Sequence, residues 1–212
     1  LQYQAVRNDP DAGSVTSASD QSMILCDGTA PTDSSAKRSD RLLSVLYVAV
    51  GTNGEPSLTC LTKNDSTGVF YTAPLLSGVE RFQVLYGVDN VTPGAAPTGN
   101  ATSIPNRYLR ADQLTVAGNE AATNANWRRV RSIRVGLVLR GPVGSALNSD
   151  SQTLLAFGSP DFSSTADTGA RYTVTDSRLR QVVTFTMQLR NCQNQGYQPK
   201  SSTTPCDVVM PS

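Results

Sequence analysis

The sequence predicts a mainly β fold made of antiparallel sheets, with little helix. Two observations predict it: apolar and polar residues alternate in several short runs, and Gly, Pro and Asn turn signals separate the runs at intervals of about ten residues. We expect a single globular domain over residues 1–212, because a chain of this length can bury a sufficient core. Two such sheets packed face to face are one arrangement that this pattern allows.

The first part of the chain contains short predicted strands separated by turns. They are Gln21–Cys26, Leu42–Val50, Ser57–Thr62 and Val69–Thr72. The second is apolar almost throughout, which predicts a central strand buried on both faces. Asn53-Gly54 is a strong hairpin signal, and Pro74 is expected to end the last of these strands.

The run Val79–Val88 has the alternation of a strand with one buried face. We expect Phe82, Val84 and Tyr86 to point inward. Residues 89–106 follow as a long loop rich in Pro, Gly, Ala and Thr. Long loops in compact domains are usually functional or disordered, so this loop is a candidate docking surface.

Two further strands are predicted in the second part of the chain, Ile133–Arg140 and Leu179–Leu189, the second in the same sheet as Val79–Val88. Their predicted inward residues are Ile133, Val135, Leu137 and Leu139 on one strand and Val183, Phe185, Met187 and Leu189 on the other. The stretch Arg107–Val116 fits either a strand or a helical turn.

Before the first of these strands, Asn126 is predicted to cap a helical turn with Trp127 and Val130 facing inward, and the single tryptophan is interpreted as a core residue. Residues 141–177 are polar, with one short predicted strand at Leu154–Phe157. They form the second candidate docking loop.

Charge is nearly balanced over the whole chain, with 18 Lys and Arg against 17 Asp and Glu. Seven of the arginines lie between Arg107 and Arg140, where the only acids are Asp112 and Glu120. This cluster is either a binding site for an acidic partner or a solvated sheet face, and we favour the solvated face. Nucleic acid is not an expected partner, because the cluster lacks interleaved aromatic residues.

The cysteines Cys26, Cys60, Cys192 and Cys206 include no CxxC pair, and the chain has no histidine to complete a zinc site. Disulfides are therefore favoured, which indicates the periplasm or the cell exterior. Of the three possible connectivities, we prefer Cys26 with Cys60 and Cys192 with Cys206. The second pair would close a short loop, and the first lies at or near the ends of two apolar runs.

Catalysis is not expected. Without histidine, the Ser-His-Asp and Cys-His mechanisms are excluded, and no phosphate-binding glycine loop is present. Asp89 is followed by no further carboxylate until Asp112, so the ligands of a calcium loop are missing. We predict no metal, no cofactor and no enzyme activity.

Three stretches of the chain resemble PilW-type minor pilins, the assembly proteins of type IV pili. The run LLSGVERFQVLYGVD, Leu75–Asp89, is similar to a family signature, as are NWRRVRSIRVGLVLR, Asn126–Arg140, and DSRLRQVVTFTMQLRN, Asp176–Asn191. The residues that carry the resemblance are Gly78, Val79, Glu80, Tyr86, Gly87, Asp89, Trp127, Arg134, Arg190 and Asn191.

The resemblance implies an α+β pilin-like protein whose β-rich head is the chain described here. A leader and a long apolar N-terminal helix, which anchors such proteins in the inner membrane before assembly, would precede Leu1. The family implies a head that faces the periplasm and later lies on the pilus. It also implies that the head joins other minor pilins and the major pilin in a complex that primes assembly at the tip; a tip adhesin is a further candidate partner. The alternatives are a J-type minor pseudopilin of type II secretion and an adhesin or DNA-binding head.

Overall fold

The structure is a computed structural model that describes residues 2–3, 19, 21, 23–32, 42–64, 67–102, 104–165 and 167–189. It divides into two compact units, Leu1–Phe82 with Leu139–Gly141, and Gln83–Val138 with Pro142–Ser212. The prediction of a mainly β fold of antiparallel sheets with little helix is confirmed. The single domain and the face-to-face packing of sheets stay predictions.

The first sheet has the strand order β1-β2-β3-β4 within the described residues. Its strands are β1 (Gln2–Tyr3), β2 (Leu42–Val50), β3 (Pro56–Lys63) and β4 (Phe70–Ser77), and each neighbouring pair is antiparallel. The predicted hairpin turn is present, since the N–H of Gly51 donates to Glu55 O at 2.9 Å. The strand β2 is not buried on both faces along its length, because Val50 is 70% exposed.

Two predictions for this sheet are wrong. Gln21–Cys26 is not a strand: its described residues bend into a turn in which Leu25 and Thr29 are hydrogen-bonded. Pro74 does not end β4, which continues to Ser77. The proline is accommodated because β4 is an edge strand among the described residues, with a register shift opposite Leu58 and Thr59.

The second sheet has the order β10-β7-β5-β6 among the described residues. Its strands are β5 (Val79–Val88), β6 (Arg107–Leu109), β7 (Val130–Arg140) and β10 (Arg180–Gln188). The antiparallel hairpin of β8 (Gln152–Leu155) and β9 (Arg171–Val174) is separate, with a 3₁₀ turn at Pro160–Phe162 between its strands. The segment 141–177 is therefore not one long loop, and β9 was missed by the sequence analysis.

The helices are α1 (Ala111–Leu114) and α2 (Glu120–Arg128). The ambiguous stretch Arg107–Val116 contains both β6 and α1. The predicted capping residue is wrong: Asn119 caps α2, its side chain accepting the N–H of Ala122 at 2.9 Å, while Asn126 lies inside the helix and is fully buried. Val130 already belongs to β7.

Candidate functional site

The hairpin β8–β9 and its flanking residues cover one face of the second sheet. A Cβ atom on Gly136 of β7 would lie 2.2 Å from Ala156 O, so only glycine permits this approach. Arg134 of the same strand donates to Phe157 O at 3.2 Å, and its guanidinium lies 4.2 Å from the Phe162 ring centroid. The even-numbered side chains in this part of β7 therefore face the hairpin.

Side chains of the neighbouring strands share this covered face. On β10, Thr186 accepts a hydrogen bond from Arg134 at 3.4 Å, and Thr184 lies 3.6 Å from the position of a Cβ on Gly158. On β5, Leu85 belongs to the buried cluster of the hairpin. The threonines, predicted to point outward, thus lie on the covered side.

The opposite face of these three strands is apolar, and we name it the open face. Because side chains alternate along a strand, it consists of Val84, Tyr86, Ile133, Val135, Leu137, Val183, Phe185 and Met187. Of these only Val135 is buried, while Val183, Phe185 and Met187 are 40%, 44% and 46% exposed. The prediction that this row of β10 points inward is wrong, and the row is instead a candidate contact surface.

Trp127 lies beside the open face rather than in the core. Its ring meets that of Tyr86 edge to face, with centroids 4.9 Å apart, and the residue is 39% exposed. The interpretation of Trp127 as a core residue is wrong for this reason. Burial raises the pKa of the Tyr86 hydroxyl.

A buried ion pair lies at the end of β5. Asp89 Oδ2 is 3.6 Å from Arg131 Nη2, and both side chains are almost fully buried. Asp89 also accepts the backbone N–H and the hydroxyl of Thr102, at 2.6 and 2.9 Å. Burial lowers the pKa of Arg131, and the Asp89 carboxylate acts in the opposite direction. Asp89 therefore attaches the loop 89–106 to the start of β7.

Two more buried polar side chains hold the same loop. Asn126 donates to Ala95 O at 2.8 Å and to Leu114 O at 3.0 Å. Arg129 donates to Gly99 O at 2.9 Å. The loop 89–106, predicted as a docking segment, is thus fixed along its length by hydrogen bonds to β7 and α2.

Two signature glycines permit close backbone approaches. A Cβ on Gly87 would lie 2.1 Å from Ser132 Oγ and 3.1 Å from Tyr108 Cε1. Gly78 joins β4 to β5 with φ of +81°, and its carbonyl accepts the N–H of Arg140 at 2.8 Å. Their roles are steric and conformational.

Glu80 belongs to an ion-pair group in the first unit, where Arg140 lies 3.9 Å from Glu80 and 3.1 Å from Glu55. Arg140 also donates to Gly54 O at 3.0 Å. The group fixes the β2–β3 turn to the end of β7. Val79, the neighbouring signature residue, is fully buried.

The arginine cluster is largely engaged in contacts within the chain. Arg129, Arg131, Arg134 and Arg140 make the contacts given above. Arg110 forms a salt bridge with Asp112 at 2.8 Å and lies 3.7 Å from Asp167. Its hydrogen bond to Asp112 raises the pKa of Arg110. These contacts leave few of the seven guanidinium groups for an acidic partner.

The structure contains the disulfide between Cys26 and Cys60, with Cα atoms 5.8 Å apart. The Cys26 N–H also donates to Ser44 Oγ at 3.2 Å, so the segment 23–32 is attached to both β2 and β3. The predicted pair Cys192 with Cys206 lies outside the described residues, as do Arg190 and Asn191.

In the parts of the chain that the structure describes, no three His, Cys, Asp or Glu side chains come together as metal ligands would. No helix within those parts has both the length and the apolar character needed to cross a membrane.

Comparison with known protein families identifies the family of this chain. The model of the family described as Type IV Pilus-assembly protein W matches residues 45–191. The chain belongs to this family. No curated protein and no solved structure is significantly similar to it. The PilW resemblance predicted from three stretches is thus confirmed, and membership connects the chain with the assembly of type IV pili.

The PilW signature residues that the structure describes lie mainly in the framework. Gly78, Gly87, Val79 and Asp89 serve close approach, turn geometry or burial. The described signature residues lie in or beside β5, α2 and β7. They therefore mainly maintain the fold, and Tyr86 is the one of them that also belongs to the open face.

Three framework residues of this site were not predicted from the sequence: Arg131, Asn126 and Gly136. The first two are polar residues that contact groups remote in sequence, Asp89 for Arg131 and the carbonyls of Ala95 and Leu114 for Asn126, so local periodicity gives no sign of their burial. Gly136 lies between the apolar residues Val135 and Leu137 of β7, and an isolated glycine in a strand can signal close backbone approach. That signal was present but unused.

Proposed function

We propose that this PilW-family chain is the head of a minor pilin, which joins other minor pilins and the major pilin in a complex that primes pilus assembly and sits at the filament tip. Membership of a pilus-assembly family supports the proposal. The open face also supports the proposal, because its exposed apolar row of Val183, Phe185 and Met187 is typical of a surface that binds another protein. The role is association rather than catalysis.

We further propose that an apolar helix preceding residue 1 lies on the open face. Three alternate residues on a strand span about 13 Å, and three strands are about 10 Å wide. An α-helix is about 10–12 Å across and rises 1.5 Å per residue, so roughly nine residues of a single helix fit this surface. Before assembly the helix would hold the head at the periplasmic side of the inner membrane, and afterwards the head would lie on the pilus.

Met187 offers a direct test of this helix. Its thioether lies on the open face and is oxidised to the sulfoxide when peroxide reaches it. In the longer gene product, purified in detergent, peroxide should oxidise Met187 more slowly than in the present chain. The control is the longer product with Leu137→Glu, which places a charge on the face and should restore fast oxidation. Equal rates in all three proteins would reject the helix position.

The partnership is tested by mixing this chain with the soluble heads of the other minor pilins and measuring the mass of each mixture by size exclusion with light scattering. We expect at least one complex of defined stoichiometry. Monomeric masses with every sibling head, alone and in combination, would contradict the assembly function. DNA of mixed sequence serves as the control ligand, and no complex is expected because most guanidinium groups are engaged.

A further inference from the structure

The outer edge of β10 is a free strand edge among the residues that the structure describes, where β7 is its only sheet neighbour. The Leu189 N–H donates to Arg131 O of β7 at 2.8 Å. Backbone groups alternate in direction along an antiparallel strand, so the groups of Val183, Phe185 and Met187 also point to β7. Those of Val182, Thr184, Thr186 and Gln188 therefore point to the open edge.

This edge lacks the features that usually prevent edge-to-edge pairing. Residues 181–188, QVVTFTMQ, contain no charge, no proline and no glycine, and β-branched and aromatic residues predominate. Natural edge strands commonly carry a lysine, a proline or a bulge at such positions. An uncharged edge accepts a second uncharged strand without like-charge repulsion or desolvation of an ion.

We propose that β10 pairs antiparallel with β10 of a second copy of this chain, with Phe185 on the two-fold axis. This goes beyond the proposed function, whose partners are sibling subunits. In this register Thr184 lies opposite Thr186 of the partner, and Val183 lies opposite Met187 of the partner. Phe185 lies opposite its own copy, and aromatic and Thr–Thr pairs are among the favourable cross-strand pairs.

The directions of the backbone groups agree with this register. Thr184 forms a hydrogen-bonded pair with Thr186 of the partner, and Val182 forms one with Gln188 of the partner. The two-fold axis generates each pair twice, and each pair makes two backbone hydrogen bonds, so roughly eight hydrogen bonds form. Phe185 occupies a non-hydrogen-bonded pair, in which opposite Cα atoms are closest, at about 4.5 Å. Shifting the register by two residues in either direction removes the Phe185 pair.

The second copy also continues the open face. A two-fold axis perpendicular to the sheet places the same face of both copies on one side. Val183, Phe185 and Met187 of each copy then form one uninterrupted apolar row across the junction. The contact is a single strand pair, below the area of stable interfaces, so we expect a weak dimer that depends on protein concentration.

Cysteine cross-linking tests the register. Phe185→Cys brings two thiols together across the axis at a Cα separation suited to a disulfide. The matched control is Val183→Cys. In the proposed register the two introduced cysteines lie four residues apart along the strands, roughly 13 Å, which is too far for a disulfide. Under mild oxidation we expect a covalent dimer from Phe185→Cys and at least tenfold less from Val183→Cys. Equal yields from the two variants would overturn the proposed register.

Sedimentation equilibrium tests the dimer without any cross-link. Phe185→Glu places two carboxylates directly opposite each other and should raise the dimer dissociation constant at least tenfold. Thr72→Glu, on the exposed edge strand β4, is the matched control and should leave that constant unchanged. Circular dichroism verifies that each variant folds. A protein that is monomeric at every concentration, or a dimer that Phe185→Glu leaves intact, would overturn the pairing, and neither outcome bears on binding to sibling heads.

Discussion

The carboxylate of Asp89 lies 3.6 Å from the guanidinium of Arg131, and 2% or less of either side chain is exposed. This pair attaches the long loop after β5 to the first residues of β7. Breaking a buried ion pair by removing one charge leaves the other without its counter-ion in a low-dielectric environment.

We therefore expect Asp89→Asn to lower the free energy of unfolding by about 3 kcal/mol. Urea denaturation measures the change. Asp112→Asn is the control, because it removes the carboxylate of an exposed salt bridge with Arg110 and should change stability little. Equal effects of the two substitutions would show that the buried pair does not stabilise the fold as described.

Gly87 and Gly136 are expected to tolerate a methyl group to different extents. In Gly87→Ala the new Cβ meets the Ser132 hydroxyl, a side chain that can move, and overpacking costs about 1–3 kcal/mol. In Gly136→Ala it meets the backbone carbonyl of Ala156, which cannot move without displacing the hairpin. Thermal denaturation should rank Gly136→Ala as the less stable variant. Adding Ser132→Gly should rescue only Gly87→Ala, and rescue of neither would argue against these close approaches being the cause.

The apolar row on β10 should contribute little to the stability of the isolated chain. Phe185 is 44% exposed, whereas Val138 of β7 is fully buried. We expect Phe185→Ala to cost under about 1 kcal/mol and Val138→Ala about 2 kcal/mol, although the phenylalanine loses more atoms. Denaturation at low protein concentration makes the comparison. A larger loss for Phe185→Ala would mean that the open face is part of the folding core.

These contrasts show what the sequence could reveal about the fold. Alternation correctly identified β5, β7 and β10 and grouped Val183 with Phe185 and Met187 on one face. Periodicity does not say which face is covered, because that depends on the hairpin β8–β9, whose packing against the sheet is a tertiary contact. The prediction failed there for this reason.

The site was predicted less completely than the fold. The signature residues were recognised by resemblance, but the partners of Asp89 and Asn126 lie 10 or more residues away along the chain. Only tertiary structure brings such polar groups together. The same limit applies to Trp127. Its position in a short helix does not reveal that its ring packs against Tyr86 outside the core.

Asp176 is expected to make stability depend on acid pH. Its hydrogen bonds with Arg180, at 2.5 and 2.8 Å, lower the pKa of the carboxyl from 3.8 to about 2. Because the folded-state pKa is the lower one, ionised Asp176 stabilises the fold above the unfolded value, and this contribution is lost as pH falls through about 2.

Urea midpoints from pH 5 to pH 2 measure this contribution. Asp176→Asn should be less stable than the unmodified chain at pH 5, and the difference should shrink towards pH 2. A difference that stays constant over this range would show that the carboxylate is not responsible. The solvent exposure of the Asp176 side chain, 44%, keeps the effect small.

The central claim, that this PilW-family chain takes part in building type IV pili, is tested most directly by counting pili on cells from which its gene has been deleted. Electron microscopy should show few or no pili on the deletion strain, and a plasmid copy of the unmodified gene should restore them. A copy with Leu137→Glu on the open face should restore fewer than one with Thr173→Glu on β9. Normal pilus numbers on the deletion strain would contradict the claim.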